Sequence, residues 1–155
     1  MYSTALVLHS WLRWAVLALA LLATVRGIQG RLGHGAWTPG HRRLNLMATI
    51  AIDVQFLIGL SLYLFLSPFT TEAFGDFGTA MSTPALRYWA VEHVTLMVVA
   101  LALAHVGNVS ARKAASDDAR HLRTAIFFGA VLLLTLAGTP WPGLSNGRPL
   151  LRLGL

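Results

Sequence analysis

The chain is 155 residues long, 55% hydrophobic and only 12% charged, whereas soluble domains average about 25% charged residues. The formal net charge of +6 would suit nucleic acid, but the basic residues cluster in short loops between apolar runs, as in a membrane protein. The chain has no cysteine, so disulfides, thiolate metal sites, thiol catalysis and covalent c-type haem attachment are excluded. We expect the lipid bilayer, rather than nucleic acid, to be the partner of this chain.

Four apolar runs are each long enough to cross a bilayer as a helix, at about 4–26, 44–66, 86–108 and 122–139. Residues 1–5 carry no Lys or Arg, so we interpret the first run as a retained helix rather than a signal peptide. Thr38 and Thr83, each followed by Pro, and Ser116 are expected N-caps ahead of the second, third and fourth runs. The predicted fold class is all-α, a membrane-spanning four-helix bundle that forms one transmembrane domain over residues 1–155.

The charges of the loops predict the direction in which the helices cross. The loop after the second span carries Glu72 and Asp76, whereas the other two loops are strongly basic. Their cations are Arg26, Arg31, Arg42 and Arg43 in the first, and Arg112, Lys113, Arg120 and Arg123 in the last. The positive-inside rule therefore places the basic loops in the cytoplasm and both termini outside, in the periplasm of a diderm bacterium. Arg148 and Arg152 in the tail are a mild exception to this pattern. We expect a multi-pass protein of the bacterial inner membrane.

Two histidines lie at matching depths in the first and third spans, which cross in the same direction. His9 and His93 are expected roughly 8 to 10 Å below the outer boundary, at about 1.5 Å of rise per residue. An ionisable group inside the hydrocarbon layer is costly and usually functional. Haem iron takes only two axial ligands from the protein, whereas zinc takes three or four. The pair therefore predicts one haem b between helices 1 and 3 near the outer face.

Several neighbours would complete such a site. Arg13 lies one turn after His9 and is expected to neutralise a haem propionate or to pair with Glu92. Trp14 and Trp89 would form walls of the pocket. Met97 belongs, with His93, to a stripe of mostly small residues along the third span. Such stripes allow close helix packing, and they also leave room for a flat macrocycle.

Two further polar groups lie deeper in the predicted spans. Asp53 and Gln55 are two residues apart and point to different helix faces, and Asp53 is expected to face the interior. It would bond to Asn45 or Asn108, or belong to a proton path to a quinone. His105 suggests a second haem, with His41 or His121 as its other ligand. However, the twelve residues from His93 to His105 turn the helix face by about 120°, which favours one haem.

Four stretches carry a resemblance to a known group of proteins. They are HSWLRW (9–14), DVQFLIGLSLY (53–63), RYWAVEHVTLMV (87–98) and TPWPG (139–143). They resemble small bacterial four-helix membrane proteins that are loosely described as cytochrome-b-like, and the resemblance covers most of the chain. It implies a haem b with His9 and His93 as ligand candidates. Its architecture is similar to that of four-helix b-type cytochromes that exchange electrons with quinones.

Three functions are compatible with these features. The first is an electron-transfer subunit whose partner is a quinol, a periplasmic electron carrier or a larger respiratory or photosynthetic complex. The second is a cofactor-free accessory subunit that stabilises such a complex, with His9, Arg13 and Glu92 forming a buried polar clasp. The third is a transporter that uses Asp53 and His105 as an ion path, although neither inverted repeats nor broken helices are evident. None of the three is a stand-alone enzyme.

Overall fold

The computed structural model describes residues 1–144 and 146–151, and these residues form helices and turns without a β-strand. Four helical stretches are each long and apolar enough to cross a membrane: Tyr2–Leu32, Pro39–Leu66, Pro84–Arg112 and Asp117–Ala137. This confirms the all-α fold class and the four long apolar helices, and it indicates a multi-pass membrane protein. The first three stretches extend beyond the predicted spans, and the fourth begins earlier and ends at Ala137.

Two of the long stretches contain a π-helical turn, and two short helices lie between them. The first stretch is α1 (Tyr2–Leu32), and the second is α2 (Pro39–Ser61) continued by the π turn Leu62–Leu66. The short helices are α3 (Pro68–Gly75) and α4 (Phe77–Ser82). The third stretch comprises α5 (Pro84–Arg87), the π turn Tyr88–Glu92 and α6 (His93–Arg112), and the fourth is α7 (Asp117–Ala137).

The expected N-caps are confirmed. Thr38, Thr83 and Ser116 precede α2, α5 and α7, and proline occupies the first position of α2 and of α5. The Ser116 hydroxyl accepts a hydrogen bond from the backbone N–H of Ala119 at 3.2 Å. The Ser116 hydroxyl satisfies, and the two prolines remove, N–H groups that a helix start leaves without a partner.

The four long helices pack in a ring. Both α1 and α6 pack against α2 and against α7, so α1 and α6 lie on one diagonal of the bundle. Consecutive long helices run in opposite directions, and α1 and α6 therefore run the same way. We call the end that carries Trp11, Trp14, Trp89 and Trp141 the aromatic end. The opposite end, with Arg26, Arg42, Arg43, Arg112 and Lys113, is the basic end.

Small side chains fill the middle of the bundle. Ala20 of α1 and Ala100 and Ala104 of α6 are buried, and they pack in one cluster with Ile52 and Val131. In membranes, small residues let helix backbones approach closely, which strengthens dispersion contacts between them. The predicted stripes therefore serve helix packing in the middle of the bundle. Large apolar side chains such as Leu57 and Leu133 point outward, as expected where lipid is the solvent.

We predict that Gly27→Ala destabilises the bundle by about 1–3 kcal/mol, because α1 and α7 touch at this glycine. A Cβ atom there would lie 2.7 Å from the backbone nitrogen of Ala125. Gly129→Ala is the matched control, since its Cβ would be no closer than 3.5 Å to Thr24. Thermal unfolding in detergent, followed by circular dichroism, measures both variants. Equal midpoints for the two variants would contradict the proposed close contact.

Candidate cofactor site

His9 and His93 face each other across the diagonal of the bundle at the aromatic end. Their ring centroids are 6.3 Å apart and their planes are inclined by 70°. His9 comes from α1, and His93 is the first residue of α6. Both rings line the same three cavities, so neither ring is turned toward the outer surface. The equal depth expected from the sequence is thus matched by a direct approach of the two imidazoles.

His93 is held through one ring nitrogen only. Its Nδ1–H donates to the carbonyl oxygen of Gly138 at 2.8 Å, and the Tyr88 hydroxyl donates to the same oxygen at 2.6 Å. A carbonyl accepts only, so Nδ1 carries the proton and Nε2 keeps its lone pair in the neutral ring. Metal-binding histidines are usually oriented by such a bond from the nitrogen that does not bind the metal.

His9 is held in the complementary way. The Gln55 amide donates to Nε2 of His9 at 3.2 Å and to the His9 carbonyl oxygen at 3.0 Å. Nε2 therefore accepts, which leaves the proton on Nδ1. That Nδ1 and the Gln55 Oε1 are both buried without a hydrogen-bond partner in the described part of the chain. Buried polar atoms without partners are uncommon, so these two atoms remain available for hydrogen bonds to a bound group.

Two glycines keep the space beside the histidines open. A Cβ atom on Gly59 would lie 2.9 Å from Cε1 of His9, so any larger residue in α2 would displace that ring. Gly138 directly follows α7, and a Cβ atom there would contact Met97. Gly59 carries no chemical group that a sequence pattern would single out, although it follows Gln55 by four residues and so shares its helix face.

Three cavities adjoin the histidine pair, with empty volumes of about 450, 620 and 460 Å³ that include space open to the surroundings. The first lies between α2 and α6 and is lined by Phe56, Leu60, Val94 and Met97. The second lies on the α1 and α7 side, and the third opens toward the aromatic end. Unfilled space therefore adjoins the pair on several sides.

Arg13 and Trp14 bind the tail of the chain. The Arg13 guanidinium donates to the Leu150 carbonyl oxygen at 2.7 Å, and the Trp14 indole donates to the same oxygen at 3.2 Å. Nε of Arg13 is buried without a partner within the described residues, and Arg13 lines the second cavity. Trp14, expected as a wall, is not among the residues lining these cavities, whereas Trp89 lines two of them.

The expected pairing of Arg13 with Glu92 is wrong. Glu92 bonds to the Arg87 guanidinium at 2.7 Å, and both side chains are partly exposed. Successive residues of a helix point in directions about 100° apart, so Glu92 lies toward the outside while the adjacent His93 faces the bundle interior. The buried clasp of His9, Arg13 and Glu92 is therefore not present.

The tail also contributes to the cavity wall. The Arg148 guanidinium lies 4.7 Å from the ring centroids of both Phe69 and Trp89 and lines the second and third cavities. Two guanidinium groups, those of Arg13 and Arg148, therefore border the second cavity. Arg152, the other basic residue of the tail, lies outside the described residues.

Asp53 does not face the bundle interior, so this expectation is wrong. Its carboxylate meets Nε2 of His105 at 2.7 Å, and the two side chains are 37% and 54% exposed. Asn45 instead donates to the Thr124 hydroxyl at 2.9 Å. Of the two neighbouring polar residues in α2, Gln55 is the one that points inward.

His105 bonds to Asp53 and not to His41 or His121, as the less favoured two-haem arrangement would require. His41 and His121 approach each other at the basic end, with ring centroids 4.8 Å apart, and Trp37 contacts both rings. Nε2 of His121 donates to the Gly35 carbonyl oxygen at 3.1 Å. These rings form a packed aromatic cluster, and the geometry gives no support to a second haem there.

Comparison with known protein families, curated proteins and solved structures finds no match to this chain. The resemblance to cytochrome-b-like proteins therefore remains a prediction. Within residues 1–144 and 146–151, no three or more His, Asp or Glu side chains are grouped to hold a metal ion. The His9–His93 pair can supply two ligands, which is the number that a porphyrin-bound iron takes from a protein.

We predict that Tyr88→Phe destabilises the protein by about 0.5–1.5 kcal/mol, because the buried Gly138 carbonyl loses one of its two donors. Tyr2→Phe is the control, since the Tyr2 hydroxyl makes no hydrogen bond to a described residue. Thermal unfolding of both variants in the same detergent provides the measurement. An unchanged midpoint for Tyr88→Phe would show that this bond does not support the His93 anchor.

Proposed function

We propose that this chain binds one haem b between α1 and α6, with His9 and His93 as axial ligands, and acts as an electron-transfer subunit. The separation of the rings is the observation that carries the proposal. Two imidazoles bound on opposite sides of a metal, each nitrogen about 2.0 Å from it, have centroids about 6 Å apart. The observed separation of 6.3 Å matches this arrangement.

The surrounding residues fit the group with one adjustment. Nε2 of His93 already presents a free lone pair, because Nδ1 is the bonded nitrogen. Nε2 of His9 is occupied by the Gln55 amide, which would give up this 3.2 Å bond and keep the 3.0 Å bond to the His9 carbonyl. Arg13 and Arg148 border the second cavity and would neutralise the propionates, since guanidinium groups match carboxylates in charge and geometry.

A bound haem supplies reversible one-electron transfer between ferric and ferrous iron. Gln55 and the Gly138 carbonyl orient the two imidazoles, the apolar lining would limit the access of water, and Arg13 and Arg148 would balance the charge of the propionates. Because two side chains of the protein would bind the iron, the site would favour electron relay over oxygen chemistry.

The distribution of charge supports the location that we propose. The basic end would lie in the cytoplasm of a bacterial cell and the aromatic end outside the inner membrane, by the positive-inside rule. The haem would then lie near the outer face. Its electron donor or acceptor would be a quinol, a periplasmic electron carrier or a larger membrane complex. Met97 lines the cavity between α2 and α6, the side from which an apolar carrier would approach.

We predict that the purified protein shows the absorbance spectrum of a b-type haem, and that His9→Ala and His93→Ala each lower haem content at least tenfold. Loss of a ligand removes both a bond to iron and the alignment of its partner. His34→Ala is the control, because His34 is 73% exposed and lies at the other end. Pyridine haemochrome spectra give haem content, and circular dichroism checks folding. Wild-type protein without haem, or both folded variants with full haem, would contradict the proposal.

We also predict that Gly59→Ala lowers haem content several-fold without unfolding the bundle. The added methyl group would lie 2.9 Å from the His9 ring and push it out of line with His93. Gly75→Ala is the control, since its Cβ would meet nothing within 4 Å. Haem titration of both variants measures the effect. Equal haem affinity in the two variants would show that His9 does not need its present position.

A further inference from the structure

We infer that the basic end holds a binding site for the phosphate of an anionic phospholipid. A concave pocket at this end is lined by Trp37, Arg42, Arg112, Lys113 and Arg120. Its empty volume is about 670 Å³, including space open to the surroundings. Four of the five lining residues are cationic, and the fifth is a tryptophan. This site is separate from the histidine pair and does not depend on haem.

The charge of the pocket is largely unbalanced by the protein itself. Arg120 bonds to the Asp117 carboxylate at 2.8 Å, and that carboxylate also accepts from the backbone N–H of Trp37 at 3.0 Å. The other acid nearby, Asp118, is bonded to Arg31 and His34. The side chains of Arg42, Arg112 and Lys113 make no hydrogen bond or ion pair with any described residue. The pocket therefore presents three free cations to a ligand.

The position of the pocket in the fold favours a phosphate group. Arg42 lies in the first turn of α2, Arg112 ends α6, and Arg120 lies in the first turn of α7. Three helix ends thus bring cations from distant parts of the sequence to one concave place. Clusters of this kind at the cytoplasmic side of transmembrane helices match the negative headgroups of acidic lipids.

The neighbouring surfaces favour a lipid over free phosphate. Leu46 and Ile50 follow Arg42 at intervals of four residues, so they share its face of α2. Val109 and Val106 precede Arg112 at intervals of three on α6. All four apolar side chains are exposed. A headgroup in the pocket would therefore have its acyl chains lying on these faces, and Trp37 would mark the boundary between the two regions.

The test measures lipid binding to detergent-purified protein by native mass spectrometry, with phosphatidylglycerol, phosphatidylcholine or inorganic phosphate added. We expect the wild type to retain phosphatidylglycerol in preference to phosphatidylcholine. The variant Arg42→Gln/Arg112→Gln/Lys113→Gln should bind it on the order of a hundredfold more weakly, since each surface cation contributes about fivefold. These three side chains are unpaired, so folding is expected to be retained, and circular dichroism verifies it.

The matched control changes three cations of the same end outside the pocket: Arg26→Gln/Arg43→Gln/Arg123→Gln. It should keep most of the affinity for phosphatidylglycerol. Equal loss in both triple variants would overturn the inference, because general attraction to the basic end would then explain binding. Retention of phosphatidylcholine and phosphatidylglycerol to the same extent by the wild type would overturn the inference as well. If millimolar inorganic phosphate displaced phosphatidylglycerol completely, the pocket would be a site for free phosphate and not for a lipid.

Discussion

Each of the two imidazoles inside this apolar bundle is fixed through a single nitrogen. His93 donates from Nδ1 to the Gly138 carbonyl, and His9 accepts at Nε2 from Gln55. In a membrane a polar group without a partner is costly, so these bonds decide which way each ring faces. The other nitrogen of each ring remains available to a ligand in the space between and around the two rings. The proposed cofactor site depends on these free ring nitrogens, since two fully hydrogen-bonded histidines could not bind a ligand.

The packing of the bundle confines that space to one end. In the middle, Ala20, Ala100 and Ala104 bring the helices into contact. At the aromatic end, Gly59 and Gly138 have no side chain that would fill the space next to the histidines. The Leu150 carbonyl in the tail accepts a hydrogen bond from Arg13. The diagonal helices α1 and α6 supply one ring each, and the two rings approach each other at the aromatic end. The basic end is built differently, with an aromatic cluster inside and unpaired cations outside.

The position of residues along the helix axis could be predicted from the sequence, but the direction of their side chains around each helix could not always be. Axial position follows from a constant rise per residue, and His9 and His93 accordingly meet. The direction in which a side chain points turns by about 100° per residue, so a shift of one or two residues places it on another face of the helix. Asp53 accordingly lies partly exposed beside His105 and not in the interior, and Glu92 bonds to Arg87 and not to Arg13. The bond from Arg13 to Leu150 depends on an irregular tail, whose path no periodic pattern encodes.

Electron paramagnetic resonance of the oxidised, haem-loaded protein tests the central claim most directly. Two imidazoles bound to one ferric iron give a low-spin signal, and planes inclined by 70° predict strong anisotropy in it. We expect this signal in the wild-type protein and its loss when either histidine is replaced. A high-spin signal, or a low-spin signal that is unchanged in the His93→Ala variant, would show that the two rings do not share an iron.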